Sequence, residues 1–400
     1  MQTVCFECGK EHYESAMYSC EVCGSSLLPK YPPFNGALSE ESNRGIWRYH
    51  KLLPSVPKEH RLYLGEGMTP LIPSVQLGKR LGIGELYFKY EGGNPTGSYK
   101  DRIAALGVSR ALAAGKKACI GTSSGNAGAS IAAYAARAGM PYHLFVLEHM
   151  AEAKLAQVLV HKAKVRKIKG FGTSPEIGDE VFRRIFESAT NRGWEIMITA
   201  YQFNPYAMEG VKTISFEIFE QLNAAPTHIY SPAGGGGLYC GIWKGFHELQ
   251  SFGAAKEVPQ TIAVQSAGCS NIARAYAAGS PIPAEGVSTS MISGLQVPNP
   301  PDGRWALKVM ASGGGKAITV EDESIWEVQK LLAEEEGIFC EPAAAASVAG
   351  LIRDCRDRRD RSMERIVCII SGSGFKDIRR LTDMASSEMV PSLSVHEMDL

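Results

Sequence analysis

The chain has 400 residues, 44% of them apolar and 21% charged, enough to bury one large core or two moderate ones, so a two-domain globular protein is expected. Its 42 basic and 42 acidic side chains cancel, which leaves no electrostatic surplus to draw it to nucleic acid or to an anionic membrane. No run approaches the ~20 apolar residues that span a bilayer, and the N-terminus lacks the basic start and apolar stretch of a signal peptide, so a cytoplasmic location is expected.

In chain order, the first feature is Cys5 and Cys8, then an eleven-residue gap, then Cys20 and Cys23, with Gly9 and Gly24 following each pair. This is zinc-ribbon spacing. Each short pair is a turn that points two thiolates at one ion, and four sulfurs close a tetrahedron with no open position, so a structural zinc is predicted rather than a catalytic one. Two disulfides, or cysteines that once held a metal, are the alternatives; a reducing compartment argues against the first. Six further cysteines, Cys119, Cys240 and Cys368 among them, have apolar neighbours and read as small buried hydrophobes. Residues 25–65, rich in Pro, Tyr and charge, read as an extended connector.

From about Leu86, short apolar strands alternate with Ala-rich helical stretches: ELYFKYE, the helix DRIAALGVSRALAAG, KACIGTS, the helix NAGASIAAYAARAG, then PYHLFVL. HIYSPA, TIAVQSA and ERIVCIIS continue the pattern, each an apolar strand ending in small residues. Strand, helix, strand at this spacing predicts an α/β class, a parallel sheet covered by helices on both faces. Ligands bind at strand C-termini in such sheets, so the small-residue ends are where a site is expected. The last stretch, ASSEMVPSLSVHEMDL, loses periodicity and reads as a loosely held tail.

Four strand-to-helix turns stand out. Asn94 to Arg102 places Lys100 at a helix N-terminus, with Ser98 or Thr96 as candidate caps. The positive end of the helix dipole disfavours an ammonium there, which suits the amine to imine formation. A solvated lysine is the plainer reading of that position. Gly121 to Gly128, which contains Ser123, Ser124, Gly125 and Asn126, offers amides and hydroxyls for an anion such as a substrate carboxylate, or simply a Ser-capped helix. Gly234, Gly235, Gly236 and Gly237 follow HIYSPA and let amides close around a phosphate; a flexible linker does not lie between a buried strand and the apolar helix LYCGIWKGFHEL. Ser371 to Gly374 is the fourth. None is a Gly-Lys-Ser/Thr phosphate loop, and together they imply one composite pocket for a phosphorylated cofactor.

The segment Asn94 to Arg102, and the order of lysine turn, S-S-G-N loop, glycine loop and S-G-x-G turn, resemble fold-type II pyridoxal-phosphate (PLP) enzymes of the tryptophan synthase β-like superfamily. Within it the chain resembles the zinc-ribbon threonine synthases from Cys5 to about Lys376, in phrases such as GIWRYHKLLP, EGMTPL, FNPYAMEGVKTISFEIFEQL and LLAEEEGIFCEPAAAASVAGL. The resemblance implies two parallel-sheet α/β domains behind a zinc-ribbon module (1–30): a large one from 31–102 plus 206–385, a smaller mobile one at 103–205, and a tail at 386–400. It also implies a homodimer. Lys100 would carry PLP as a Schiff base and then act as base on the Cα proton. Asn126 would bond the ring hydroxyl, Gly234 to Gly237 would bind the phosphate, and Ser371 would face the pyridine nitrogen. Ser123, Ser124 and Gly125, with Asn126, would hold the substrate carboxylate. A hydroxyl facing the nitrogen cannot protonate the ring as an acid would, which favours elimination and replacement over transamination. Glu341, in Cys340-Glu341-Pro342, is either a pocket carboxylate or a structural group at a helix start.

Departures from that family concentrate at the substrate end. Its phosphate-recognising residues correspond to Tyr201, Gln202 and Ala207, so the arginine is replaced, and with it a bidentate contact to phosphate. The cofactor-phosphate turn is Ala-Gly-Gly-Gly-Gly, as in serine and threonine dehydratases, and Ser373 stands where a histidine is usual. Ser288 to Pro300 also differs. The expected function is therefore that of a PLP-dependent lyase or synthase, acting on a small amino acid by elimination or replacement at the β-carbon through an aminoacrylate-type intermediate, a second small nucleophile deciding between the two. A true threonine synthase acting on O-phosphohomoserine, and a PLP-binding paralogue that no longer catalyses, are the alternatives.

Overall fold

The computed structural model describes residues 2–13, 18–32, 34, 36–123, 125–150, 152–171, 174–356, 360–385 and 392–395. Its strands, in chain order, are Thr3–Cys5 (β1), Glu11–His12 (β2), Leu27–Pro29 (β3), Leu71–Pro73 (β4), Ile83–Tyr90 (β5), Cys119–Thr122 (β6), Tyr142–Leu147 (β7), Lys164–Ile168 (β8), Glu195–Ile196 (β9), His228–Pro232 (β10), Gln260–Ser266 (β11), Gly315–Val320 (β12) and Arg361–Ile370 (β13). The helices are Leu77–Arg80 (α1), Lys100–Ala113 (α2), Asn126–Arg137 (α3), Glu152–Val160 (α4), Pro175–Arg192 (α5), Pro205–Met208 (α6), Thr213–Leu222 (α7), Gly237–Ser251 (α8), Asn271–Ala277 (α9), Gly303–Ala311 (α10), Asp322–Glu336 (α11), Pro342–Cys355 (α12) and Ile378–Ala385 (α13). Among the described residues no helix is long and apolar enough to cross a membrane.

Three sheets result. The first is a small antiparallel one, β2-β1-β3, that carries the four N-terminal cysteines on and between its strands. A six-stranded sheet runs β12-β11-β10-β13-β5-β4, and a four-stranded one runs β8-β7-β6-β9. Both are parallel, as the continuous apolar runs predict, except that β4 pairs antiparallel with β5 at the edge. In the central pairing, Ile366 to Ile370 of β13 lie beside Leu86 to Tyr90 of β5, and all five residues of that β13 run are buried on both faces.

Residues 25–65 are packed rather than extended, which corrects the connector reading. They contain β3 and a 3-10 segment, Gly45–Leu52, whose Ile46, Trp47, Tyr49 and Leu52 are buried. The Pro, Tyr and charge there hid an apolar face that only the large core reveals. Most of the expected tail, residues 386–391 and 396–400, lies outside the described residues.

The feature that matters for function is where the parallel strands end. β5 runs into the lysine turn, β6 into Ser123 and Asn126, β10 into the four glycines, and β13 into Ser371 to Gly374. All four turns lie at C-terminal strand ends. The first and last also touch: Ser98 bridges Gly372, and the Tyr99 amide donates to Ser371 O at 3.1 Å.

Candidate active site

Lys100 is the first residue of α2. Its Nζ donates to Thr199 Oγ1 at 2.8 Å and lies 4.8 Å from the centroid of the Tyr99 ring. The turn before it is tightly specified: Asn94 Nδ2 donates to Glu91 Oε2 at 2.8 Å, Asn94 Oδ1 accepts from the Gly67 amide at 3.0 Å, and Gly97 takes φ +87°, a conformation that favours glycine. Neither Thr96 nor Ser98 caps α2, contrary to expectation. Asp101, inside the first turn, reaches back instead and accepts from the Thr96 amide at 2.8 Å and hydroxyl at 2.7 Å. A carboxylate with two acceptor oxygens satisfies both donors at once, and its charge suits the helix N-terminus. Ser98 Oγ is left buried without a hydrogen-bond partner, one polar atom aimed at nothing beside the lysine turn.

At the end of β6, Ser123 Oγ accepts from the amides of Gly128 at 2.8 Å and Gly125 at 3.3 Å, so it ties down the start of α3. Ser124 lies outside the described residues. Asn126 opens α3 and turns its Nδ2 to both oxygens of Glu341, at 3.0 Å each. Glu341 precedes α12, and its amide donates to Gly372 O at 3.1 Å. Ser371 Oγ stands 3.5 Å from Glu341 Oε1. The carboxyl group thus lies between the two residues expected to flank a pyridine ring. Burial pushes it above the usual carboxylate range, and the Asn126 contact pulls the other way. The Glu341 side chain meets Asn126 and Ser371 while its backbone precedes α12, so its contacts accommodate both readings.

An added Cβ would be crowded at each position of the glycine turn. A Cβ would lie 2.9 Å from Gly294 O at Gly234, 3.1 Å from Pro301 Cδ at Gly235, 3.1 Å from the Asp302 carbonyl at Gly236 and 2.7 Å from Asp302 Oδ2 at Gly237. Gly236 also takes φ +93°. Backbone amides at the head of α8 are therefore bare of side chains, which is what close approach of a phosphate requires. Asp302 joins this turn to the next stretch, its Oδ2 and Oδ1 accepting from the Tyr201 and Gln202 amides at 3.1 Å each and its own amide donating to Gly235 O at 2.9 Å. Burial raises its carboxyl to about 7.

Tyr201 and Ala207 present no side-chain surface to a ligand. The Tyr201 ring packs edge-on against Trp305 with its hydroxyl on Met208 O at 3.2 Å, and the Ala207 methyl lies in the core against Gly107. Gln202, between them, is exposed. Of that trio it alone offers a free polar side chain.

A family model described as "Pyridoxal-phosphate dependent enzyme" matches residues 62–372. The chain belongs to the pyridoxal-phosphate-dependent enzymes. This PLP enzyme is 39% identical over 384 residues to a threonine synthase of Methanocaldococcus jannaschii, covering 93% of this chain and 92% of that one. It is 36% identical over 403 residues to a threonine synthase of Methanosarcina acetivorans, with 98% and 96% covered. Solved structures share the fold: the processed form of threonine deaminase isoform 2 from Solanum lycopersicum has a TM-score of 0.66 at 20% identity, covering 91% of this chain and all of that one. Maize serine racemase has a TM-score of 0.65 at 22% identity, with 80% and 92% covered.

The residues of this PLP enzyme fit that cofactor. They supply an amine at a helix start, a glycine turn at the head of α8 whose bare amides could receive a phosphate, and an amide and a hydroxyl that both face the Glu341 carboxyl. Its four N-terminal cysteines are free, with their Sγ atoms all within 4.8 Å of one another; Cys5 and Cys23 are 3.4 Å apart, Cys8 and Cys20 3.7 Å. Those separations exceed a disulfide bond and match sulfurs placed ~2.3 Å from a shared ion. Burial raises the Cys5 thiol to about 12, whereas the Ser25 amide draws Cys23 down to about 6. Sequence reasoning missed Thr199 and Asp302. Thr199 follows a two-residue strand and has no motif around it; Asp302 sits in the stretch after Ser288 to Pro300 and is one unremarkable acid in a Pro-rich run.

Proposed function

We propose that this chain binds PLP through Lys100 and eliminates or replaces the β-substituent of a small amino acid. Bound there, PLP supplies an electron sink for the substrate's Cα. The chain's own residues do the rest. Lys100 would hold the cofactor and, when free of it, take the Cα proton, with the Thr199 hydroxyl orienting its Nζ. The β-substituent departs with its bonding pair. Water then releases a keto acid and ammonia, or a small nucleophile adds at Cβ and Lys100 returns the proton to Cα. Asn126 and Ser371 flank the ring, Gly234 to Gly237 hold the phosphate, and Ser123, Ser124, Gly125 and Asn126 receive the substrate carboxylate at the head of α3. Gln202 reaches the distal end, with Tyr201 and Ala207 shaping the wall behind it. The observation that carries the reading is the convergence of these four turns at the ends of four parallel strands.

The same reading places a structural zinc on Cys5, Cys8, Cys20 and Cys23, the enzyme in the cytoplasm as a homodimer, and neither nucleic acid nor membrane among its partners. A second reading, conversion of O-phosphohomoserine to threonine, is favoured by the extent of identity to two threonine synthases. The absorption spectrum of the purified protein, titrated with serine, threonine, O-acetylserine, O-phosphoserine, homoserine and O-phosphohomoserine while keto acid and phosphate are assayed, separates the two. Keto acid from an unphosphorylated substrate supports the first. Phosphate and threonine from O-phosphohomoserine alone establish the second.

A further inference from the structure

Tyr18 lies between the two cysteine pairs, and its phenol leaves the module they form. The hydroxyl donates to Glu195 Oε1 at 2.8 Å, and the ring meets that of Tyr206 edge-on at 5.7 Å. Glu195, in β9, is only 4% exposed, and the same oxygen accepts from Asn204 Nδ2 at 3.2 Å. Asn204 in turn caps α6, its Oδ1 accepting from the Ala207 amide at 3.0 Å. Arg110 of α2 closes the group by lying 4.2 Å over the Tyr206 ring. A continuous chain of contacts therefore runs from the cysteine module to both ends of the stretch 195–208. That stretch holds Thr199 against Lys100, and it presents Gln202.

The module is held from its other side as well, where Lys308 donates to Phe6 O at 2.6 Å and Glu7 O at 3.0 Å. Tyr18 stands two residues before Cys20 and is fixed no more firmly than the module itself. Four thiolates on one ion close the eleven-residue gap at both ends, so metal and Tyr18 geometry are linked. A buried carboxylate stripped of a donor is costly even with the Arg110 and Lys116 charges nearby, and its other hydrogen-bond partner, Asn204, which also donates to Ile196 O at 2.8 Å, caps α6.

We propose that Tyr18 is a positioning residue through which the four-cysteine module sets the wall of the substrate cleft, so that loss of the metal loosens residues 195–208 and weakens the hold on the amino acid. This rests on the functional reading above for the identity of that wall. The test uses the full chain with metal and PLP bound, Tyr18→Phe, and as control Tyr13→Phe, whose 71% exposed side chain bonds Glu11 within the module. Metal content, PLP absorbance, hydrogen exchange across 195–208, and KM and kcat for an amino acid that turns over are measured with and without metal stripping. Tyr18→Phe is expected to keep metal and PLP, to speed exchange in 195–208 by about tenfold and to raise KM by a similar factor, with kcat within about twofold. Stripping reproduces this in the wild type and adds little in Tyr18→Phe, because both act on one contact. Glu195→Gln, which keeps the acceptor, stays near wild type, and Glu195→Ala follows Tyr18→Phe. Unchanged exchange in 195–208 after both Tyr18→Phe and stripping overturns the proposal. Where no amino acid turns over, the functional reading fails, and the exchange measurement still decides this one.

Discussion

On the proposed reading, Lys100→Ala removes the amine that would both hold the cofactor and move the proton. The expected outcome is a protein of unchanged secondary structure by circular dichroism, lacking the visible absorbance of lysine-bound PLP, with turnover lower by about a thousandfold. Glu66 makes a different point at the same scale, because burial, with a smaller push from the Asp101 carboxylate, raises its carboxyl from 4.5 to about 7, although the Tyr134 hydroxyl donates to it at 2.5 Å and the Leu64 amide at 3.0 Å. Between those pH values the folded chain keeps a proton that the unfolded chain has released, so stability falls as pH rises through the window and stays lower above it. Glu66→Gln carries a neutral group into the same space. Denaturant unfolding at pH 5 and pH 8 should show the wild type losing on the order of 3 kcal/mol that the variant does not lose. Glu66 was invisible as a titrating group in the phrase EGMTPL, since nothing local says that its side chain enters the core against α3.

Among the elements, the turn from β10 into α8 depends on glycine for two separate reasons, the left-handed φ of Gly236 and the Asp302 backbone 3.1 Å from where a Cβ would stand. Gly236→Ala adds ~1–2 kcal/mol of backbone strain and, on the proposed reading, moves an amide that would face the phosphate. PLP affinity, followed by fluorescence titration, should fall by about tenfold or more, because the strain is released only by opening the cradle. Gly178 provides the contrast. It lies inside α5 with nothing within 4 Å of an added Cβ, and Gly178→Ala should raise stability by ~0.5–1 kcal/mol without touching PLP binding. This turn was fully legible in the sequence, as four glycines between an apolar strand and an apolar helix. The caps of α2 were not, since Asp101 competes for Thr96 from within the helix and propensity does not rank such exchanges.

For the whole molecule, a buried ionic network holds the lysine turn to the large sheet. Glu217 of α7 accepts from Arg102 at 2.6 and 2.7 Å, from Lys89 of β5 at 2.7 Å and from the Met68 amide at 2.8 Å, while Glu91 takes the other edge of Arg102 at 2.7 and 2.8 Å. Removing one partner of such a group leaves uncompensated buried charge. Glu217→Ala should cost about 3–5 kcal/mol in urea unfolding. It should also slow the recovery of PLP absorbance on refolding, because α2 and β5 lose their shared anchor. The four residues lie up to 128 positions apart in the chain, and their charges read individually as ordinary surface groups.

By itself the sequence determined the α/β class, the four small-residue turns at strand ends, Lys100 at a helix start, and the spacing of Cys5, Cys8, Cys20 and Cys23. Each of these is written within a few dozen neighbouring residues, where periodicity, turn chemistry and ligand spacing act. Only the tertiary structure decided that Glu341 lies between Asn126 and Ser371, that Thr199 meets Lys100, that Asp302 ties the glycine turn to Tyr201 and Gln202, and that Tyr18 reaches Glu195. These pairings span 30 to 215 positions of chain. They exist because the parallel sheets bring distant strand ends together and the surrounding burial then obliges each polar group to find a partner there, a constraint that no local pattern of residues records.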